Sequence, residues 1–124
     1  RVLVVEDVSA NRFVIRSMLL RLGIPCDEAH DGAQALDRMR RANDFSLILM
    51  DVQMPVMDGL EATRNIRLLE AERGLARTPV IGLTAGVLTS ELEKCIDAGM
   101  NEVLSKPISL RSLRAALLRY LPLQ

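Results

Sequence analysis

The feature that most limits how this chain folds is a rhythm of short strand-like runs. Each ends on a polar group and is followed by a helical stretch. The plainest is Leu47-Ile48-Leu49-Met50, which runs into Asp51 and then a loop holding Pro55 and Gly59. Four apolar residues with no polar alternation read as a strand covered on both faces. Residues 2–5 are of the same kind and stop at Glu6 and Asp7. Residues 80–84 follow Pro79 and end at Thr84, and residues 102–105 lead into Lys106-Pro107. Residues 25–30 interleave Cys26 and Glu28 with apolar neighbours, so they read as an edge strand.

Helices fill the intervals. The first begins at residue 9 or 10 and runs to 22, with Asn11, Val14, Ile15, Met18 and Leu22 on one face toward the sheet and Gly23 ending it. Phe13 and Leu20 fall on its far side. Asp31-Gly32-Ala33-Gln34 and Asp58-Gly59-Leu60-Glu61 have the spacing of capping boxes, opening helices to about Ala42 and about Glu72. A helix over residues 89–98 turns Leu92, Cys95 and Ile96 to one side, and Gly99 closes it. Ser109 caps the last helix, which carries Leu110, Leu113, Leu117 and Leu121 inward and Arg111, Arg114 and Arg119 outward.

Five β–α units in strict alternation predict an α/β fold, with a parallel sheet, right-handed crossovers and helices on both faces. At 124 residues this is one domain over residues 1–124 with a core of its own. Opening on a strand without Met, it reads as a domain excised from something longer. Sixteen basic and sixteen acidic side chains balance, so no bulk field favours nucleic acid or an anionic membrane. No apolar run approaches membrane-spanning length. Cys26 and Cys95 have neither disulfide-framework nor metal-ligand spacing and read as small buried hydrophobes in a reduced, cytosolic protein.

In a parallel sheet all C-terminal strand ends lie on one edge, where residues distant in sequence meet. That edge should collect Glu6, Asp7, Asp51, Thr84 and Lys106. Each has an ordinary structural role when taken singly, as a cap, a turn residue or a solvated charge. Together they form a carboxylate cluster that repels itself unless a cation neutralises it. Hard oxygen donors favour Mg²⁺, and a hydroxyl with an ammonium suits a tetrahedral anion.

These residues resemble the receiver domain of two-component response regulators. Glu6-Asp7 resembles the family's acidic pair and Asp51 its phosphoacceptor. Met54-Pro55 and Met57-Asp58-Gly59 resemble the following loop, Thr84-Ala85 the switch hydroxyl with its small neighbour, and Lys106-Pro107 the lysine with its cis-proline. The match spans the chain and implies a flavodoxin-like doubly wound (βα)5 sandwich with strand order 2-1-3-4-5. It also implies phosphoryl transfer from a phosphohistidine to Asp51, assisted by Thr84 and Lys106. Mg²⁺ would be held by Asp7, Asp51 and the backbone carbonyl of Gln53, with Glu6 acting partly through water. The motif wording is most similar to receivers of hybrid sensor histidine kinases. The implied partners are therefore a histidine kinase dimerisation domain or a histidine phosphotransfer protein, with no nucleic acid or membrane contact by this domain. The implied location is cytoplasmic, in a parent chain anchored in the inner membrane.

The chain departs from the family pattern at Val103, where an aromatic switch residue usually stands three positions before the lysine. The ring-swing response is unavailable, so a weaker or differently routed conformational response is expected. Val8, Ala10 and Val14 form an apolar patch near the site suited to a histidine-bearing helical bundle, which Phe13 and Leu20 extend. Gln53 and Gly86 flank the path of a hydrolytic water, and His30 reads as a loop residue. Two rivals also fit parts of the pattern. A Mg²⁺-dependent phosphohydrolase would want a second acid at Gln53, and a flavodoxin-like nucleotide binder would want a Gly-rich loop at Glu6-Asp7-Val8-Ser9. A receiver with a separate DNA-binding output domain would differ only in flanking sequence.

Overall fold

The computed structural model describes residues 1–41, 44–86 and 89–122. In chain order the elements are β1 (Val2–Val5), α1 (Ser9–Arg21), β2 (Cys26–Ala29), α2 (Gly32–Arg41) and β3 (Leu47–Asp51). Then come α3 (Gly59–Arg73), β4 (Val80–Thr84), α4 (Thr89–Ala98), β5 (Glu102–Ser105) and α5 (Leu110–Tyr120). The strands form one sheet in the order β2-β1-β3-β4-β5, and every pairing is parallel. The expected α/β fold and strand order are therefore present. The expectation of a second helix reaching Ala42 ends on a residue outside those described.

Continuous apolar strands arise because both faces of the sheet are covered. Side chains alternate across each strand. Leu3, Val5, Ile48 and Met50 join Ala35, Leu36, Met39, Ala62, Ile66 and Cys95 from α2, α3 and α4 in one core. Val2, Val4, Leu47, Leu49, Ile81 and Leu83 join Ile15, Leu19, Leu113 and Leu117 from α1 and α5 in the other. Register places Val5 beside Met50, and Asp51 beside Leu83, so the strand ends carrying polar groups are level.

The helix starts follow the capping signals. Asp58 accepts from the Glu61 amide at 2.9 Å and Ser109 from the Ser112 amide at 3.1 Å. At α2 the reciprocal bond is displaced by one residue. Asp31 accepts from the Gln34 amide at 2.9 Å, while the Gln34 side chain accepts from the His30 amide at 2.8 Å. Gly23 and Gly74 take positive φ (73° and 64°) just beyond α1 and α3.

Two helix faces differ from expectation. On α1 the buried residues are Ile15 and Leu19; Met18 and Leu22 are half-buried, and Val14 and Asn11 are exposed. Apolar residues lie on several sides of this helix, so periodicity does not specify which direction meets the sheet, and Leu19 rather than Val14 is buried there. On α4 the buried pair is Cys95 and Ala98, an i, i+3 stripe; Ile96 turns away and is 52% exposed. Cys26 is half-buried rather than buried, and both cysteines are free.

Candidate functional site

Every predicted site residue lines one cleft at the C-terminal edge of the sheet. Glu6 and Asp7 follow β1, Asp51 ends β3 with Gln53 just beyond it, Thr84 ends β4, and Lys106 follows β5. Glu6, Asp51 and Thr84 are buried, Asp7 is half-buried, and Gln53 sits exposed at the rim. Carboxylate oxygens of Glu6, Asp7 and Asp51 all lie within 4.8 Å of one another. Lys106 Nζ is 3.1 Å from Glu6 Oε2 and 3.1 Å from Asp51 Oδ1.

One ammonium facing two buried carboxylates leaves the site short of positive charge. Burial pushes Asp51 up to about 6, with Glu6 adding to the rise and Lys106 opposing it. Burial works the same way on Glu6, but the hydrogen bonds from Lys106 and Asp51 outweigh it and hold Glu6 below the usual range. Burial acts against the Lys106 charge, yet its two carboxylate partners keep it above its usual value. The pair thus resists carrying two charges, and burial with the neighbouring Glu6 carboxylate disfavours the ionised form of Asp51.

The donor set suits a hard divalent cation. Octahedral Mg²⁺ holds oxygens at about 2.1 Å, which puts them about 3 to 4 Å apart, and the three carboxylates bring oxygens within 4.8 Å of one another. All candidate ligands are oxygens, and a divalent charge would favour the ionised Asp51 that burial and the Glu6 carboxylate disfavour. The residues present therefore fit Mg²⁺.

Several supporting residues escaped the sequence reading. Arg12 from α1 reaches back to donate to the Glu6 and Asp7 carbonyls at 2.7 and 3.0 Å, and Asn11 Nδ2 donates to Glu6 Oε1 at 3.4 Å. Only a basic and an amide side chain one turn into a helix could have signalled them. In the β3–α3 loop Val56 has φ of 70°, and the Met57 amide donates to the Pro55 carbonyl at 2.8 Å, closing a γ-turn that costs strain. Gly59 allows α3 to start against β3. A Cβ there would stand 2.2 Å from the Asp51 carbonyl oxygen.

Thr84 Oγ1 accepts from the Gly86 amide at 3.2 Å. The Lys106-Pro107 bond is cis. Val103 lies opposite Gly82 in register and is half-buried against the α2–α4 side of the core. His30 is exposed just after β2 and outside the cleft. Val8 and Val14 are exposed, and an apolar groove beside them is lined by Asn11, Val14, Ile15, Lys106, Pro107 and Ile108.

A 2-1-3-4-5 parallel sheet whose strand ends gather three carboxylates, a hydroxyl and a lysine defines a receiver-type α/β domain. The chain belongs to the response regulator receiver domain family, whose model matches residues 2–118. Among curated relatives it is 40% identical over 119 residues to the sensor histidine kinase RcsC of Escherichia coli, covering 96% of this chain and 12% of that protein. It is also 40% identical over 125 residues to hybrid signal transduction histidine kinase G of Dictyostelium discoideum, covering 99% of this chain and 4% of that one. The chain thus spans a small part of the relatives it matches.

Among solved structures, the receiver domain of sensor histidine kinase PA1611 from Pseudomonas aeruginosa superposes with a TM-score of 0.85 at 42% identity, covering 96% and 94% of the two chains. That receiver holds a magnesium ion coordinated in its active-site cleft. A chain in the Saccharomyces cerevisiae co-crystal of the phosphotransfer protein Ypd1 with the receiver domain of Ssk1 matches with a TM-score of 0.91 at 30% identity, covering 96% and 86%. Among the described residues no helix is long and apolar enough to cross a membrane.

Proposed function

We propose that Asp51 accepts a phosphoryl group from a phosphohistidine, and that this chain is the receiver of a hybrid sensor histidine kinase working in a phosphorelay. The observation that carries this reading is the buried Asp51 carboxylate, set within 4.8 Å of Glu6 and Asp7 and touched by Lys106 at 3.1 Å. In the transfer a bond forms between an Asp51 carboxylate oxygen and phosphorus while the phosphorus–nitrogen bond breaks. The leaving imidazole keeps that electron pair and takes up a proton. Asp7, Asp51 and the Gln53 carbonyl would hold Mg²⁺, with Glu6 reached partly through water. Bound there, the ion supplies neutralising charge for the donor and the transferring group. Lys106 offers its ammonium to the phosphoryl oxygens and Thr84 its hydroxyl.

The donor is a histidine kinase dimerisation domain or a histidine phosphotransfer protein. It docks across the exposed Val8, Ala10 and Val14 and the groove reaching Pro107 and Ile108. The domain is cytoplasmic and the parent chain membrane-anchored. Neutral Gln53 stands where a phosphohydrolase would carry its second acid, which favours the relay reading. Incubation with acetyl phosphate, with Mg²⁺ or with chelator, followed by intact mass tests it. The expected result is a Mg²⁺-dependent phosphoryl adduct that Asp51→Asn abolishes. An adduct retained in the variant, or formed equally with chelator, overturns it.

A further inference from the structure

The turn between β1 and α1 carries two of the three carboxylates in the cleft, yet α1 has no side-chain cap where that turn meets it. Val8 stands at the N-cap and offers no hydroxyl, amide or carboxylate to the helix amides. The hydrogen-bond ladder of α1 opens at the Val8 carbonyl, which accepts from the Arg12 amide at 3.0 Å. The Glu6 and Asp7 carbonyls lie ahead of that bond, on a turn the helix itself does not hold. Arg12 supplies the hold. Its Nη1 donates to the Glu6 carbonyl at 2.7 Å and to the Asp7 carbonyl at 3.0 Å. One charged donor thus spans the two peptide groups on either side of the Asp7 Cα, and such bonds are stronger than those between neutral groups.

The two acidic side chains of the turn differ in what else restrains them. Glu6 is buried, its Oε2 accepting from Lys106 Nζ at 3.1 Å and its Oε1 from the Val8 amide at 3.3 Å and Asn11 Nδ2 at 3.4 Å. The Asp7 carboxylate is half-buried and, among the described residues, takes part in no hydrogen bond or ion pair. Its direction is therefore set by the backbone. Peptide units are planar, so the orientations of the Glu6 and Asp7 carbonyls fix φ and ψ at Asp7, and with them the direction of its Cα–Cβ bond. Arg12 holds both carbonyls while itself standing half-buried beside the cleft rather than in it.

We propose that Arg12 is a positioning residue for the metal site: by bonding the carbonyls on both sides of the Asp7 Cα, it aims the Asp7 carboxylate at the place Mg²⁺ would take. The inference rests on the reading of Asp7 as a Mg²⁺ ligand and adds a residue outside the cleft that sets the affinity. Without the guanidinium the turn samples other orientations, and binding the ion has to order it. Groups that orient metal ligands are typically worth about 10- to 100-fold in metal affinity. Once bound, the ion restores the order, so Arg12 acts on binding of the metal and not on the transfer itself.

The test measures Mg²⁺ binding by calorimetry, because the chain has no tryptophan to report it by fluorescence. Wild type, Arg12→Met, Arg12→Lys and Arg16→Ala are compared, with urea unfolding in chelator alongside. Arg16 stands one turn further along α1 and pairs with Glu28 at 3.4 Å, so its loss removes the same charge without a bond to the turn. Arg12→Met, which keeps the stem and no donor, should raise the Mg²⁺ Kd about 10-fold. Its labelling by acetyl phosphate should return to within about twofold of wild type at saturating Mg²⁺. The ammonium of Arg12→Lys falls one bond short of the reach of Nη1, so this variant should raise the Kd too, and it carries the test if the methionine variant loses its fold. Arg16→Ala should bind as wild type does. A wild-type Kd in either Arg12 variant, whatever its urea stability, overturns the inference, as does an equal rise in Arg16→Ala. A labelling deficit that saturating Mg²⁺ leaves in place overturns it as well. Wild type that binds no Mg²⁺ overturns the reading of Asp7 as a ligand, and this inference with it.

Discussion

Asp51→Asn should make the metal-free domain more stable at neutral pH. The Asp51 carboxyl stands at about 6, against an ordinary value of 3.8. Between those values the folded chain keeps a proton that the unfolded chain has released. Stability therefore falls as pH rises through that window, and the whole penalty is present above its upper end. A shift of about 2 units corresponds to about 3 kcal/mol, which solvent at the cleft mouth reduces to about 1–2 kcal/mol. Asparagine removes the charge and still presents an oxygen to Lys106 Nζ. For a chain of this length the gain is about 4–8 °C in Tm. Thermal unfolding with chelator near pH 7.5 reads it, and the advantage should close as pH falls toward about 4. Mg²⁺ at ten times its Kd should add about 1.4 kcal/mol to wild type and less to the variant. A variant no more stable than wild type, or an advantage independent of pH, would refute the claim that Asp51 carries an electrostatic penalty.

Arg67 Nη1 donates to Glu70 Oε1 at 2.8 Å and its other nitrogens to the Gly99 carbonyl and Asn101 Oδ1. Arg67→Met should cost about 3–5 kcal/mol in urea unfolding, because it leaves the buried Glu70 carboxylate with the Thr78 amide as its one partner among the described residues. Arg67→Lys should recover part of that loss, since a lysine cannot fork between Gly99, Asn101 and Glu70. A loss below about 1 kcal/mol for the methionine variant would mean that the buried Glu70 carboxylate does not depend on the Arg67 guanidinium. Phe13, 60% exposed on the outer side of α1, should matter for docking alone. Phe13→Glu should slow transfer from a histidine-bearing partner and leave labelling by acetyl phosphate unchanged. An unchanged partner rate rejects a docking role for that face.

Much of this was legible because a parallel sheet turns sequence order into geometry. Once the runs ending at Glu6, Asp51, Thr84 and before Lys106 were read as strands, their shared edge followed from topology, and the cleft holds the residues named. Helix faces were less legible. α1 is apolar on several sides, and Leu19 rather than Val14 meets the sheet because packing chooses among stripes that periodicity leaves equivalent. Ile96 was misplaced for a related reason, as one residue of rotation separates it from the Cys95–Ala98 stripe. Contacts with no sequence period were not legible at all. Arg12 bonding the carbonyls after β1, the γ-turn at Val56 and Arg67 bonding the Gly99 carbonyl each depend on a side chain or turn meeting backbone far along the chain or bent locally.

The central claim is that a phosphoryl group passes from a protein phosphohistidine to Asp51. The direct measurement uses a radiolabelled, phosphorylated histidine phosphotransfer protein mixed with this chain and separated on a gel. In the presence of Mg²⁺ the label should move from the donor to wild type, and with Asp51→Asn or with chelator it should stay on the donor. Label arriving on the Asp51→Asn chain as readily as on wild type would contradict the account.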